Sequence, residues 1–151
     1  EIGFALAAWD GGSAVRRILA AAGTKAHTLQ RFTDARAIPS VDLEPLIERW
    51  FRWRSDMLSF MSDFDVIVSP VNAHCAMPHG FTKEPEALDA FSYTVIYNAT
   101  GWPAAVVRAG TSPEGLPIGV QIAAVPGRED LVLAAAKCVE SRLGGFRPPP
   151  L

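Results

Sequence analysis

Cysteine is scarce in this chain, with only Cys75 and Cys138 among 151 residues. They show no Cys-x-x-Cys spacing, and their surroundings read as a loop and a buried helix, so two unpaired thiols are expected rather than a disulfide framework. Charge is also sparse, at 20% of residues, with fourteen basic against sixteen acidic side chains and a formal net charge of −2. Neither a basic block nor a Lys/Arg stripe interleaved with aromatics is present to neutralise phosphates, which leaves nucleic-acid binding without support. Long hydrophobic runs are missing as well. Charges interrupt every apolar stretch well before the roughly eighteen residues that a membrane span needs, and no basic segment leads into an apolar one at the start. The chain therefore reads as soluble, unexported and cytoplasmic. It begins with Glu1 rather than Met and runs straight into Ile2-Gly3-Phe4-Ala5-Leu6-Ala7-Ala8-Trp9, so a piece of a longer protein is expected. What is present is 49% hydrophobic residues, globular composition for one domain with a sizeable core.

Neither repeats nor low-complexity tracts interrupt the chain, and the one long irregular stretch is expected from about Gly23 to Ser40. Asp10-Gly11-Gly12-Ser13 reads as a turn with cap-type residues, followed by Val15, Ile18, Leu19 and Ala22 at helical spacing until Gly23 stops the helix. A second helix is expected from about Asp42 to Asp63, because Leu46, Trp50, Trp53, Met57, Phe60 and Phe64 recur at steps of three and four. Glu48, Arg49, Arg52, Ser55, Asp56 and Ser59 fall on the opposite face, so the aromatic stripe should lie on a core. Pro45 is compatible with a first turn. The period then changes. Asp65-Val66-Ile67-Val68-Ser69-Pro70 reads as a strand buried on both faces, of the kind parallel sheets use. Ala104–Val107 and Ile118–Ala123, joined through Thr111-Ser112-Pro113-Glu114-Gly115, read as neighbouring antiparallel strands. A closing helix starts with Glu129 and Asp130, presents Val132, Ala135, Ala136, Val139 and Leu143 on one face, and ends at Gly144-Gly145. Three strands flanked by helices define an α/β class with a sheet edge that another part of the molecule would normally cover.

The residues alone supply little chemistry. Gly-x-Ser-x-Gly is absent. Ser69 at a strand end, with His74 five residues on, is read as a turn-capping hydroxyl ahead of Pro70. Cys75 with His79 could form a thiolate–imidazolium pair, but nothing in the sequence fixes their geometry. His74, His79 and Cys75 lack a fourth ligand and a regular ligand spacing, so no metal is assigned and the histidines are taken as loop residues at a surface or pocket rim. Gly11-Gly12-Ser13 follows no strand and precedes no Gly-Lys-Ser/Thr, which makes it a helix start rather than a phosphate cradle.

Three segments in order carry a resemblance. They are Asp63-Phe64-Asp65-Val66-Ile67-Val68-Ser69-Pro70, then Phe91-Ser92-Tyr93-Thr94-Val95-Ile96-Tyr97-Asn98-Ala99-Thr100-Gly101-Trp102-Pro103-Ala104, then Gly115-Leu116-Pro117-Ile118-Gly119-Val120-Gln121-Ile122. Together they resemble the C-terminal half of the amidase signature family: its "DVIVSP" strand, its "T-x-x-x-N-x-x-G-x-P-A" segment and its "GLPIGVQ" strand. The Arg128-Glu129-Asp130 helix and the Asp10-Gly11-Gly12 turn resemble further parts, so the likeness covers nearly the whole chain. It implies the C-terminal part of that fold, a mixed sheet with about three strands here, running through residues 1–151 with a weakly structured connection at about 24–40. It also implies a parent that hydrolyses carboxylic amides through a serine acyl-enzyme, using a Ser nucleophile, a second Ser and a Lys base in a Gly/Ser-rich signature. None of these can be placed. Lys25, Lys83 and Lys137 stand in no Gly/Ser-rich context, and Gly11-Gly12-Ser13-Ala14 lacks the second serine. The catalytic half is expected upstream, and the chain alone is expected to be inactive.

The segment from Ser92 to Asn98 is similar to the fatty-acid-amide-hydrolase branch, where it borders an acyl channel. Thr94, Tyr97, Asn98 and Trp102, together with His74 and Met77 from the loop after the first strand, are therefore the substrate-pocket candidates. Asn98 and Gly101-Trp102-Pro103 also suit a purely structural role in tying down a loop. The resemblance places an acidic side chain near position 91 in the glutamine-using transamidation subunits, and this chain has Phe91. With Phe81, Phe91, Tyr97 and Trp102 near the expected site, an aryl or acyl amide is the implied substrate. No cofactor is implied, and homo-oligomerisation is left open. The rival reading is a stand-alone, non-catalytic α/β interaction module.

Overall fold

The computed structural model describes residues 2–24, 30–81, 84 and 87–148. They fall into two compact units, one of residues 1–57 and 79–87 and one of residues 58–78 and 88–151. No helix of the described residues is long and apolar enough to cross a membrane.

The first unit is helical: α1 (Ile2–Ala7), α2 (Ser13–Ala21), α3 (Gln30–Thr33) and most of α4 (Ser40–Phe60). The turn expected at Asp10-Gly11-Gly12-Ser13 is there, and its chemistry is explicit. Asp10 accepts hydrogen bonds from the Gly12 and Ala14 backbone N–H groups at 2.9 and 2.6 Å, satisfying donors that a helix start leaves orphaned. Gly12 takes φ 78°, and a methyl added there would stand 1.9 Å from the Phe32 carbonyl oxygen. That close approach brings the start of α2 against α3, where Arg16 donates to the Gly11 and Thr33 carbonyls and the Phe4 and Phe32 rings lie 5.1 Å apart. The stretch expected to be irregular thus contains α3, a single turn too short to show a periodicity.

The long helix α4 runs into a 3₁₀ turn, Met61–Asp63, close to the expected limits. It begins earlier than expected, so Pro45 sits inside it rather than in its first turn, and the bond its N–H would donate to the Val41 carbonyl is missing. The stripe holds its period: Leu46, Trp50, Trp53 and Met57 are half-buried while Phe51 and Leu58 are exposed. Full burial is not reached. No residue of α4 is buried, Phe60 and Phe64 are more than half exposed and stack on each other at 5.2 Å, and the Arg54 guanidinium lies 4.8 Å over the Trp50 ring. A face expected on a core is here covered partly by its own neighbours, because the Arg54 guanidinium can rest on the Trp50 ring face as a cation–π contact.

The second unit holds the sheet: β1 (Ile67–Pro70), β2 (Ala104–Thr111) and β3 (Pro117–Ala123), in the order β1-β3-β2. The short helices α5 (Ala87–Ala90) and α6 (Ser92–Thr100) lie between β1 and β2 in sequence, and α7 (Glu129–Leu143) packs mainly on β2. One α/β sheet from the three expected strands is borne out, but both of its ladders are antiparallel where a mixed sheet was expected, because β1 runs against β3. The two-sided burial expected for β1 is not found: it alternates half-buried and exposed positions, with Val68 57% exposed. An apolar run of four residues fits either reading, and only its partner decides. Pairing aligns Ile67 and Ser69 with Ala123 and Gln121, and Ala104, Val106 and Arg108 with Ala123, Gln121 and Gly119, so these eight residues share one face. Ile122, wholly buried, lies on the opposite face with Ala105 and Val107. Gly144 caps α7 at φ 86°, as expected, and Val132 and Ala136 are buried on it. Cys138, expected in a buried setting, is exposed on the same helix; both cysteines are free.

Candidate functional site

The face shared by Ser69, Gln121 and Val106 carries two features, a buried polar knot and an open hollow. The knot forms where β1 ends. Gln121 is 3% exposed, and its side-chain amide donates to the Ser69 hydroxyl at 3.3 Å and to the Tyr93 carbonyl at 3.0 Å. The Tyr97 phenol shares a hydrogen bond with the same hydroxyl, while burial pushes its pKa above the ordinary value of 10.0. A buried amide must find partners, and this one ties α6 to the strand end from which the next loop departs. Ser69 itself donates to the carbonyl of the next residue, Pro70, at 3.1 Å. Replacing Gln121 by Leu should lower stability by about 1–3 kcal/mol, because the Tyr93 carbonyl and the Ser69 hydroxyl lose their common donor. A urea unfolding midpoint unchanged within error would show that the knot contributes nothing.

Beyond the knot, an open hollow of about 670 Å³ is lined by residues 70–77 of the strand end and its loop together with Phe91, Val106, Arg108 and residues 117–119. Its floor is kept clear by Gly119, where a methyl would come within 3.0 Å of Val71 and 3.1 Å of Val106. The lining is largely apolar and, among the described residues, contains no Asp or Glu. Asn72 holds the loop by accepting from the His74 backbone N–H at 3.1 Å. Arg108 brings the fixed positive charge. It stands at a β-bulge, the register shifting between Arg108 and Gly110, and a bulge re-aims the side chain beside it.

Of the six pocket candidates, His74 and Met77 line this hollow together with Phe91. The other four lie elsewhere in the unit. Thr94 is half-buried and donates to the Phe91 carbonyl at 3.1 Å. Tyr97 and Trp102 are interior, at 7% and 6% exposure, with ring centroids 6.4 Å apart. Asn98 is exposed within α6, not in the loop where it was expected, because the helix continues to Thr100 before Gly101 ends it at φ 74°. The loop leading into Trp102-Pro103 does not line the hollow, and Phe81 belongs to the first unit. Lys137 is exposed on α7, and Lys25 and Lys83 lie outside the described residues. Sequence reasoning missed Arg108 and Gln121. Both had a signal: each is a long polar side chain inside an otherwise apolar strand, which a one-sided sheet must either pair or use.

Known proteins share sequence and fold with this chain. The chain is 35% identical to an acylamidase of Rhodococcus erythropolis over 103 residues, 62% of this chain and 20% of the relative. It is 48% identical to fatty-acid amide hydrolase 2-A of Danio rerio over 59 residues, 39% of this chain and 11% of that protein. Among solved structures, a 6-aminohexanoate cyclic dimer hydrolase in complex with its substrate superposes with a TM-score of 0.70 at 21% identity, over 87% of this chain and 32% of that one. A bacterial aryl acylamidase of the amidase signature family gives 0.62 at 21% identity, over 92% and 33%. At these identities the structures establish the shared fold, and the chain spans a third or less of the length of each of these proteins. The family model described as Amidase matches residues 16–133, most of the chain and all three strands. This chain belongs to the amidase family.

Proposed function

We propose that this chain supplies the substrate-facing scaffold of an enzyme that hydrolyses carboxylic amides, and that the serine nucleophile and lysine base act from residues other than these 151. The observation that carries the reading is the hollow built by Val71–Met77, Phe91 and the β2–β3 face: mostly apolar, with a few convergent polar groups and a volume in the usual small-molecule range. Support for an acyl-enzyme route comes from the family, whose chemistry would hold the oxyanion on backbone N–H groups. Support for catalysis elsewhere comes from what the site lacks. Cys75 and His74 share the hollow, but no described hydrogen bond joins their side chains, and Ser69 donates to a carbonyl rather than to a base.

For the substrate, Phe91 on the wall of the hollow favours an aryl or acyl amide over glutamine, whose amino group would call for a carboxylate there. His74 and Met77 are assigned to substrate contact. Thr94, Tyr97 and Trp102 are assigned to the support behind Phe91, and Asn98 to the open side of α6. The purified chain should turn over neither an aryl nor an aliphatic amide above background. Turnover that survives repurification and is abolished by Ser69→Ala or Cys75→Ala would place the nucleophile in this chain and overturn the assignment. An interaction module without chemistry has no specific observation in its favour.

A further inference from the structure

We propose that the hollow recognises a carboxylate on an apolar body, with Arg108 as the residue that selects it; this deepens the reading that the hollow meets the substrate.

The argument rests on what surrounds the guanidinium. Arg108 is half-buried in the wall, yet the described residues give it no acidic partner: the ion pair found among them is Arg128–Asp130, on the surface, and the lining contains no carboxylate. Its described hydrogen bond goes to the Thr111 hydroxyl, three residues on, which fixes one terminal nitrogen and leaves most of the five-donor fork unspent. Directly across the ladder stands Gly119, which offers no side chain to cover the charge. The bulge beside it sets the strand's twist at this residue. A planar donor fork anchored at one corner, bordering apolar walls and facing no anion among the described residues, matches a carboxylate better than any neutral amide, because two parallel N–H···O bonds to a charged acceptor are short and strong. The walls then select the rest of the ligand: Phe91, Met77, Val106 and Ile118 offer apolar contact to an aryl or alkyl body.

A carboxylate of this kind can arrive in two ways, as a substituent on an uncleaved amide or as the acid that amide hydrolysis releases. Both present the same group to Arg108. The test is binding to the complete 151-residue chain, read from its ¹H–¹⁵N NMR spectrum at the Arg108 side-chain N–H and the Val71–Met77 amides, with four probes. Benzoate stands for the released acid, N-benzoylglycine for the carboxylate-bearing amide, benzamide for the neutral amide, and inorganic phosphate for an anion with no apolar body. Benzoate or N-benzoylglycine should bind at least about tenfold more tightly than benzamide and than phosphate, since charge-assisted bonds add to apolar contact, and the tighter of the two names the source. Arg108→Gln should reduce that preference to under about twofold, Arg108→Lys should keep part of it because the charge remains without the fork, and Arg142→Gln on exposed α7 should leave it unchanged.

Equal binding of benzoate and benzamide in the hollow would overturn the assignment of Arg108 while leaving the hollow as the amide site. Binding of none of the probes would overturn the hollow as a ligand site altogether. Phosphate binding as tightly as benzoate would reduce Arg108 to an ordinary surface cation. All three outcomes are read on the unsubstituted chain, so they hold even if a variant fails to fold.

Discussion

Trp102→Ala should destabilise the second unit by about 3–5 kcal/mol, the usual cost of removing a large aromatic from a packed interior, and it should do so whether or not any ligand is present. Trp102 is 6% exposed, its ring lies 6.4 Å from that of Tyr97, and it follows Gly101 at the point where α6 gives way to β2. Truncation would leave a void between α6 and the start of β2 that backbone held by two hydrogen-bonded elements cannot collapse to fill. Trp102→Phe should recover part of the loss by restoring an aromatic face to Tyr97. Urea denaturation followed by far-ultraviolet circular dichroism measures the effect. An unchanged midpoint, combined in an active amidase with selective loss of turnover on bulky amides, would make Trp102 a substrate contact instead.

Gly12→Ala should cost the first unit on the order of 2–5 kcal/mol, from two separable sources. Positive φ opposes any Cβ, at about 1–2 kcal/mol, and here the methyl would also stand 1.9 Å from a carbonyl oxygen of the α3 backbone, which cannot rotate away as a side chain could. Gly23 provides the internal comparison. It too has positive φ, at 63°, but among the described residues nothing lies within 4 Å of an added methyl, so Gly23→Ala should show the conformational cost alone. Midpoints that shift equally in the two variants would show that α3 yields easily and that the contact between the α2 start and α3 is soft.

Much of this fold is written in periodicity, and what is not written follows one physical rule. The α4 stripe, the β2–β3 pair and the α7 face were legible because each spans enough residues for its apolar positions to repeat. Helices α3 and α5 have four residues each, one turn apiece, which gives a repeat no room. The direction and exposure of β1 were not legible either, since both depend on β3, whose residues are remote in sequence. The site divides along the same line. His74 and Met77 were expected at a pocket because a loop leaving a strand end is where ligands meet a sheet, and both line the hollow. Tyr97 and Trp102 were expected near it because their segment is similar to one that borders an acyl channel, a likeness that does not say which way a side chain faces, and both are buried. Arg108 was passed over because a charge within a strand looks like a solvent-facing position until the bulge and the bare Gly119 opposite it are seen.

The sheet order carries a consequence for the sequence of events in folding. β2 and β3 are joined by Ser112–Leu116, whose turn closes on itself: Ser112 N–H donates to the Leu116 carbonyl at 2.8 Å, and the Leu116 N–H donates to the Ser112 hydroxyl at 3.2 Å. A hairpin with so short a loop forms on the microsecond scale. β1 must wait for a far longer loop to close before Ile67 meets Ala123, and that entropy is spent before any contact repays it. The hairpin is thus expected to form first, with β1 and the knot of Ser69, Gln121 and Tyr97 closing on it later. Substitutions in the hairpin should slow folding and those in the knot should chiefly quicken unfolding, read from the two arms of a denaturant chevron, and because the Val71–Met77 loop starts where β1 ends, the hollow should open with the knot.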